Sequence, residues 1–200
     1  MDDLQRIGVK LLCRNAEQRE SGGTLPLVDV IPVFHRWIQQ AAVPDLLIDV
    51  ADYSHVKSGP GVLLVGYEGI YALDETDGLR GVTYYFRRPA IEGVAQRLHL
   101  AAHRALAACS LLESESSLAS ELRFDSSAIE IYCNDRLHAP NEPGTLEALA
   151  PAIEGLVSRL YPGAAPQLER RGAQSRERFS LVVKTEESPG IETLLERVAN

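Results

Sequence analysis

The chain has 200 residues, 45% hydrophobic and 24% charged, the proportions of an ordinary globular protein, and that length buries roughly 70% of the surface an unfolded chain exposes. Twenty basic against 28 acidic residues leave a net charge of −8, which works against a broad nucleic-acid or anionic-membrane footprint. The opening MDDLQRIGVKLLCRN lacks the basic-then-apolar layout of a signal peptide, and no apolar run is long enough to cross a bilayer, so the expectation is a cytoplasmic protein with neither nucleic acid nor membrane as partner.

Ile7, Val9, Leu11 and Cys13 alternate with Gly8, Lys10 and Leu12, the period of a strand. A glycine-rich loop, Ser21-Gly22-Gly23-Thr24, separates it from a helix predicted from Val28 to Gln40, with Pro32 in the first turn where its missing N–H costs little. Leu46 to Val50 reads as a strand, followed by the loop DYSHVKSGPG (52–61) and a strand from Val62 to Val65. Beyond a Gly66-Tyr67-Glu68-Gly69 turn, Ile70 to Leu73 and Val82 to Phe86 form a hairpin around Asp77-Gly78, a dipeptide that accepts the positive φ of tight turns. Pro89 opens a long helix to about Leu112, with Ile91, Val94, Leu98, Ala102, Ala105 and Cys109 at helical spacing. An acidic, serine-rich segment from Glu113 to Ser117 follows. Ile129, Ile131 and Cys133 then alternate as a strand, Thr145 to Leu160 has helical periodicity with Pro151 inside it, Phe179, Leu181 and Val183 alternate again, and a last helix starts near Gly190.

The two halves repeat this order. Leu11-Leu12-Cys13-Arg14-Asn15 corresponds to Ile131-Tyr132-Cys133-Asn134-Asp135, Leu63-Leu64-Val65 to Leu181-Val182-Val183, and Pro89-Ala90-Ile91-Glu92 to Pro189-Gly190-Ile191-Glu192. The predicted fold is therefore α+β: two similar strand-helix-strand-strand-helix halves, a pseudo-dimer by internal duplication, with a mostly antiparallel sheet and helices packed on it. The first repeat spans 1–112 with an inserted hairpin at about 69–88, a linker covers 113–121, and the second repeat spans 122–200. The alternative is a ferredoxin-like plait with additions.

One connection exceeds what topology requires. DYSHVKSGPG is longer than a hairpin needs and differs in chemistry from its counterpart at 172–177, and loops on a rigid scaffold are where binding groups concentrate. The plainer reading is a shaped turn, with Gly59-Pro60-Gly61 bending the chain and Asp52 and Ser54 bonding local backbone. Adjacent Ser54 and His55 point apart in extended chain, a poor nucleophile and base. Asp52 and His55, three apart, can meet across a turn, the carboxylate favouring the protonated imidazole. The candidate ligand-binding set is Asp52, Tyr53, Ser54, His55, Lys57, Tyr67, Glu68 and Tyr85, at the rim of a pocket walled by the sheet and the hairpin. Glycines leading into a strand lack the helix N-terminus that binds dinucleotide phosphates.

Cys13, Cys109 and Cys133 are too far apart for a zinc or dithiol motif and read as small buried apolar residues. His99 and His103 share a helix face but have no third ligand. His138 sits in a Pro-rich loop with no evident partner. Arg87-Arg88, Arg170-Arg171 and Arg176 with Arg178 form basic islands in an acidic chain. The sequence names no cofactor, no metal and no catalytic set. The expected function is binding of a small anionic ligand or a regulatory interaction with a protein partner, by a monomer or homodimer. The alternative is an enzyme using Asp52, His55 and Lys57 for acid/base chemistry.

Overall fold

A computed structural model describes residues 4–14, 25–88, 91–118, 122–172, 174 and 176–199. The glycine-rich loop at 21–24 and the helix-opening Pro89 expected from the sequence lie outside the described residues. The strands are β1 (Ile7–Cys13), β2 (Leu47–Tyr53), β3 (Gly61–Gly66), β4 (Gly69–Asp74), β5 (Gly81–Phe86), β6 (Phe124–Cys133), β7 (Gln167–Arg171) and β8 (Phe179–Lys184). The helices are α1 (Ile31–Gln40), preceded by one 3-10 turn at Leu27–Val30, α2 (Val94–Ser114), α3 (Pro143–Leu160) and α4 (Ile191–Ala199). The strands form one antiparallel sheet in the order β2-β3-β4-β5-β1-β6-β8-β7. Among the described residues no helix is long and apolar enough to cross a membrane.

The period-2 alternation assigns the two faces. Ile7, Val9 and Leu11, Val62 and Leu64, Tyr71 and Leu73, Val82, Tyr84 and Phe86, Ile129 and Ile131, and Leu181 and Val183 join one core with Phe34 and Trp37 of α1, Leu98, Ala105 and Cys109 of α2, Ile153 of α3 and Leu194 of α4. Their neighbours along each strand point the other way. Lys10, Thr83, Glu130, Tyr132 and Ser180 are buried there as well, outside the helix-packed core, and they are polar.

Burying polar groups demands partners. Lys10 Nζ contacts Asp74 Oδ1 and donates to the Leu79 carbonyl at 2.6 Å. Asp74 also accepts from the Thr76 hydroxyl at 2.6 Å. Thr83 Oγ1 lies 2.7 Å from the Tyr132 hydroxyl and 3.0 Å from the Val9 carbonyl it donates to. Ser180 donates to Glu130 at 2.5 Å. This network ties β4, β5, β1, β6 and β8 together from the side the helices do not cover.

Three boundaries differ from the sequence reading. Strand β2 continues through Ala51, Asp52 and Tyr53 because Leu63, Val62 and Gly61 of β3 supply ladder partners, so the first two residues of DYSHVKSGPG belong to the strand. Gly61 has φ +68°, and a Cβ there would overlap the Leu73 carbonyl, so only glycine fits this bend. Helix α2 starts at Val94 because Gly93, at φ +82°, breaks the helical run after Ile91. Strand β7, QLERR, has no apolar face to announce it, being an edge strand exposed over most of its length.

Candidate functional site

The expected constellation separates into two groups. Asp52 pairs with Val62, on the helix-covered side, whereas Tyr53 pairs with Gly61 on the opposite side. The Asp52 carboxylate accepts from the Ser54 amide at 2.8 Å rather than bonding His55. Hydrogen bonds from Ser54, side chain and then backbone, hold its pKa below the ordinary carboxylate value, burial opposes them, and the His55 charge adds a smaller lowering. His55 stacks beside Tyr53, ring centroids 6.5 Å apart. Val56 and Gly59 amides close successive turns onto the Tyr53 and Val56 carbonyls at 2.9 and 3.0 Å, and the Glu75 amide bonds the Gly59 carbonyl at 3.2 Å. Lys57 is exposed. The segment from Ser54 to Pro60 is a self-bonded turn leaning on the connection after β4.

Tyr67 and Glu68 lie at the other end of β3, six residues of strand away, roughly 17–20 Å at the rise of extended chain. Tyr85 stands on β5, two strands over, opposite Ile70 of β4. A cleft of about 370 Å³ is lined by Arg6, Tyr85, Phe86, Arg87, Arg88 and Asn134. Adjacent strands place these groups: Phe86 ends β5, Arg6 precedes β1 and Asn134 follows β6, and the Asn134 amide bonds the Arg6 carbonyl at 2.8 Å.

The β3–β4 turn holds the arginines. Both the Arg87 and Arg88 amides donate to the Glu68 carbonyl, at 2.8 and 3.0 Å. Arg87 Nη1 reaches the Gly66 carbonyl at 3.2 Å, and the Arg88 guanidinium sits 5.4 Å from the Tyr67 ring centroid. The turn is itself anchored: Asp45 accepts from the Glu68 and Gly69 amides, both at 3.2 Å, and the Glu68 carboxylate is taken by buried Arg104 at 2.7 Å. Arg104 also contacts the Pro44 carbonyl. Burial pushes the Tyr85 phenol pKa up, Asp74 adds to that, Arg87 counteracts it, and Tyr53 adds a further rise.

The electrostatics are uneven. Arg36, Arg80, Arg104, Arg178 and Arg197 each have a carboxylate partner. Among the described residues, Arg6, Arg87 and Arg88 have none. These three arginines, without a carboxylate partner among the described residues, line one cleft in a protein of net charge −8, and a guanidinium fork is the group that matches carboxylate or phosphate.

Other sequence candidates fall elsewhere. Burial lowers the pKa of both His99 and His103, and among the described residues no group of three His, Cys, Asp or Glu side chains is arranged to hold a metal ion. The cysteines are free, with Cys109 and Cys133 buried and Cys13 half-buried. His138, expected to lack a partner, pairs with Asp135. Arg6 and Asn134 escaped the sequence reading because only the β1–β6 register brings them to the β5 end. Comparison with protein-family models, with curated proteins and with solved structures finds no match for the chain.

Proposed function

We propose that this protein binds a small anionic ligand in the cleft formed by Arg6, Arg87, Arg88, Asn134 and Tyr85. The observation that carries the reading is that three arginines, Arg6, Arg87 and Arg88, none with a carboxylate partner among the described residues, line one concavity of about 370 Å³, a size within the ordinary range of small-molecule sites. The aromatic rings of Tyr85 and Tyr67 supply apolar surface beside the charges. The self-bonded loop from Ser54 to Pro60 then serves as structural support, and the acid/base alternative built on Asp52, His55 and Lys57 gains nothing from it.

The test is calorimetric titration with inorganic phosphate, succinate and citrate. At least one should bind, more weakly as salt rises, and Arg87→Gln or Arg88→Gln should each weaken it by about tenfold, ~1.4 kcal/mol. Undiminished binding to the double variant, or no binding to the native chain, sinks the proposal.

We also propose that the chain is a duplicated unit, with 1–112 and 122–200 as its repeats. Support comes from the strand order, in which β2-β3 flank β1 on one side as β7-β8 flank β6 on the other, the β4–β5 hairpin being inserted between β3 and β1. Laying Cys13 on Cys133 lays Val9 on Ile129 and Leu11 on Ile131. The ladder contains both Val9↔Ile131 and Leu11↔Ile129, with Lys10↔Glu130 between them, so the pairing is its own image under that superposition. A plait ending at β6 would leave α3, β7, β8 and α4 as additions, whereas duplication accounts for them. Superposing β1-α1-β2-β3-α2 on β6-α3-β7-β8-α4 in a crystal structure tests the reading.

A further inference from the structure

A second cleft opens on the helix-free face. It has a volume of about 440 Å³, and its lining includes Asp77 from the β4–β5 connection, Arg171 at the end of β7, and Glu177, Arg178 and Ser180 at the start of β8. It shares no lining residue with the first cleft. The Tyr132 ring, which carries Arg178 on its face, lies 6.4 Å from the ring of Tyr85, a lining residue of the first cleft.

The guanidiniums here have donors to spare. Arg178 stacks 4.2 Å from the Tyr132 ring centroid, and its Nη2 meets Glu130 at 3.5 Å and Asp77 at 3.4 Å, both longer than the 2.7–2.9 Å of a charge-assisted hydrogen bond. Its Nε is buried with no partner among the described residues. Glu130 is already engaged by Ser180 at 2.5 Å. The Arg171 side chain makes no hydrogen bond or ion pair among the described residues, its charge being felt only by Glu169 on the same strand, while its carbonyl is pinned by Asn141 Nδ2 at 3.2 Å. Gly172 follows at φ +77°, with Glu177 and Asn141 filling the space a Cβ would need.

Unlike the first cleft, this one pairs its cations with acids. Asp77 is 61% exposed at its side chain, and Glu177 is exposed as well. A plain anion reaching Arg171 and Arg178 would also meet Asp77 and Glu177 and be repelled. A molecule carrying an ammonium a few bonds from its carboxylate satisfies both signs. We propose that this cleft binds a small zwitterion of the α-amino-acid class, its carboxylate on Arg171 and Arg178 and its ammonium on Asp77 and Glu177. The inference is independent of the ligand assigned to the first cleft.

The experiment titrates the full chain with each standard L-amino acid at millimolar concentration, by calorimetry. At least one should bind, and its methyl ester and N-acetyl derivative, each missing one charge, should bind at least about tenfold more weakly. Arg171→Gln should abolish binding without lowering the melting temperature of the free protein, and Asp77→Asn should weaken it. Arg87→Gln, in the first cleft, should leave it unchanged. Three results overturn the proposal: no amino acid binds, the singly charged derivatives bind as well as the parent, or Arg171→Gln binds undiminished.

Discussion

Asp135 Oδ2 lies 2.9 Å from His138 Nδ1, three residues on, in the turn that follows β6. Partial burial works against the carboxylate, but hydrogen bonds from the His138 ring and amide hold the Asp135 pKa below its ordinary value, and the His138 charge adds to this. A depressed folded pKa contributes stability that is present above the unfolded value of about 3.9 and is lost as pH falls through the folded value. Asp135→Asn is therefore expected to cost less than about 1 kcal/mol at neutral pH, the pair being partly solvated. It should also flatten the acid limb of stability. Urea denaturation across the acid range checks both.

Lys10 and Asp74 form the most buried ion pair among the described residues, with side-chain exposures of 0% and 8%. Lys10→Met leaves the carboxylate without its cation and is expected to destabilise by about 3–5 kcal/mol. Lys10→Met combined with Asp74→Leu should recover most of that loss, since a well-packed apolar pair removes the uncompensated charge. Equal destabilisation in the single and double variants would contradict this.

His103 has a buried Nδ1 without a partner among the described residues. Burial depresses its pKa, and Arg104 and then His99 add to the effect. The unfolded imidazole takes its proton near pH 6.5 and the folded one only lower, so stability is full above that pH. It declines as pH falls from about 6.5 towards the folded value. An NMR titration should place His103 below 6.5, and His103→Gln should remove part of the decline.

Gly8 lies beneath the Tyr132 ring, where an added Cβ would overlap the phenol. Gly8→Ala is expected to cost about 1–3 kcal/mol by overpacking, and more if the Thr83–Tyr132 hydrogen bond is displaced. In a Tyr132→Leu background the same change should cost less, a non-additivity that reports the contact. Thermal denaturation of the four-member cycle measures it.

The elements legible in the sequence are those whose burial is one-sided. Ile7-Val9-Leu11 and Phe179-Leu181-Val183 alternate because helices cover one face only, and Asp77-Gly78 marks its turn through positive φ at both residues. Strand β7 and the end of β2 were not legible: both are edge segments, where a polar side chain facing water costs nothing, so hydrogen bonding alone makes them strand. Arg87-Arg88 drew notice as a basic island, and Tyr85 as an aromatic. Arg6 and Asn134 carry no local signal, because their neighbourhood is created by register. The three-residue Asp–His spacing occurs twice, and backbone decided between them: Asp135 stands in a turn that bends back on itself, whereas Asp52 is still in extended strand with Ser54 nearer than His55.

Strand β1 is bonded on one side to β5 and on the other to β6, and both partners come later in the chain. The run β2 to β5 is a meander of neighbouring hairpins, whose loop closures are short. β1 instead waits for two long closures, whose entropy is lost before any ladder bond offsets it. During synthesis β1 therefore stays unpaired until Phe86 has emerged, and its second edge stays open until Cys133 has. Joining β1 is the expected slow event of folding, and the period before it is when the chain is most open to chaperones and to misassembly. A trimming of that strand such as Val9→Ala should then slow refolding more than it speeds unfolding, and stopped-flow refolding and unfolding rates of the variant measure the split.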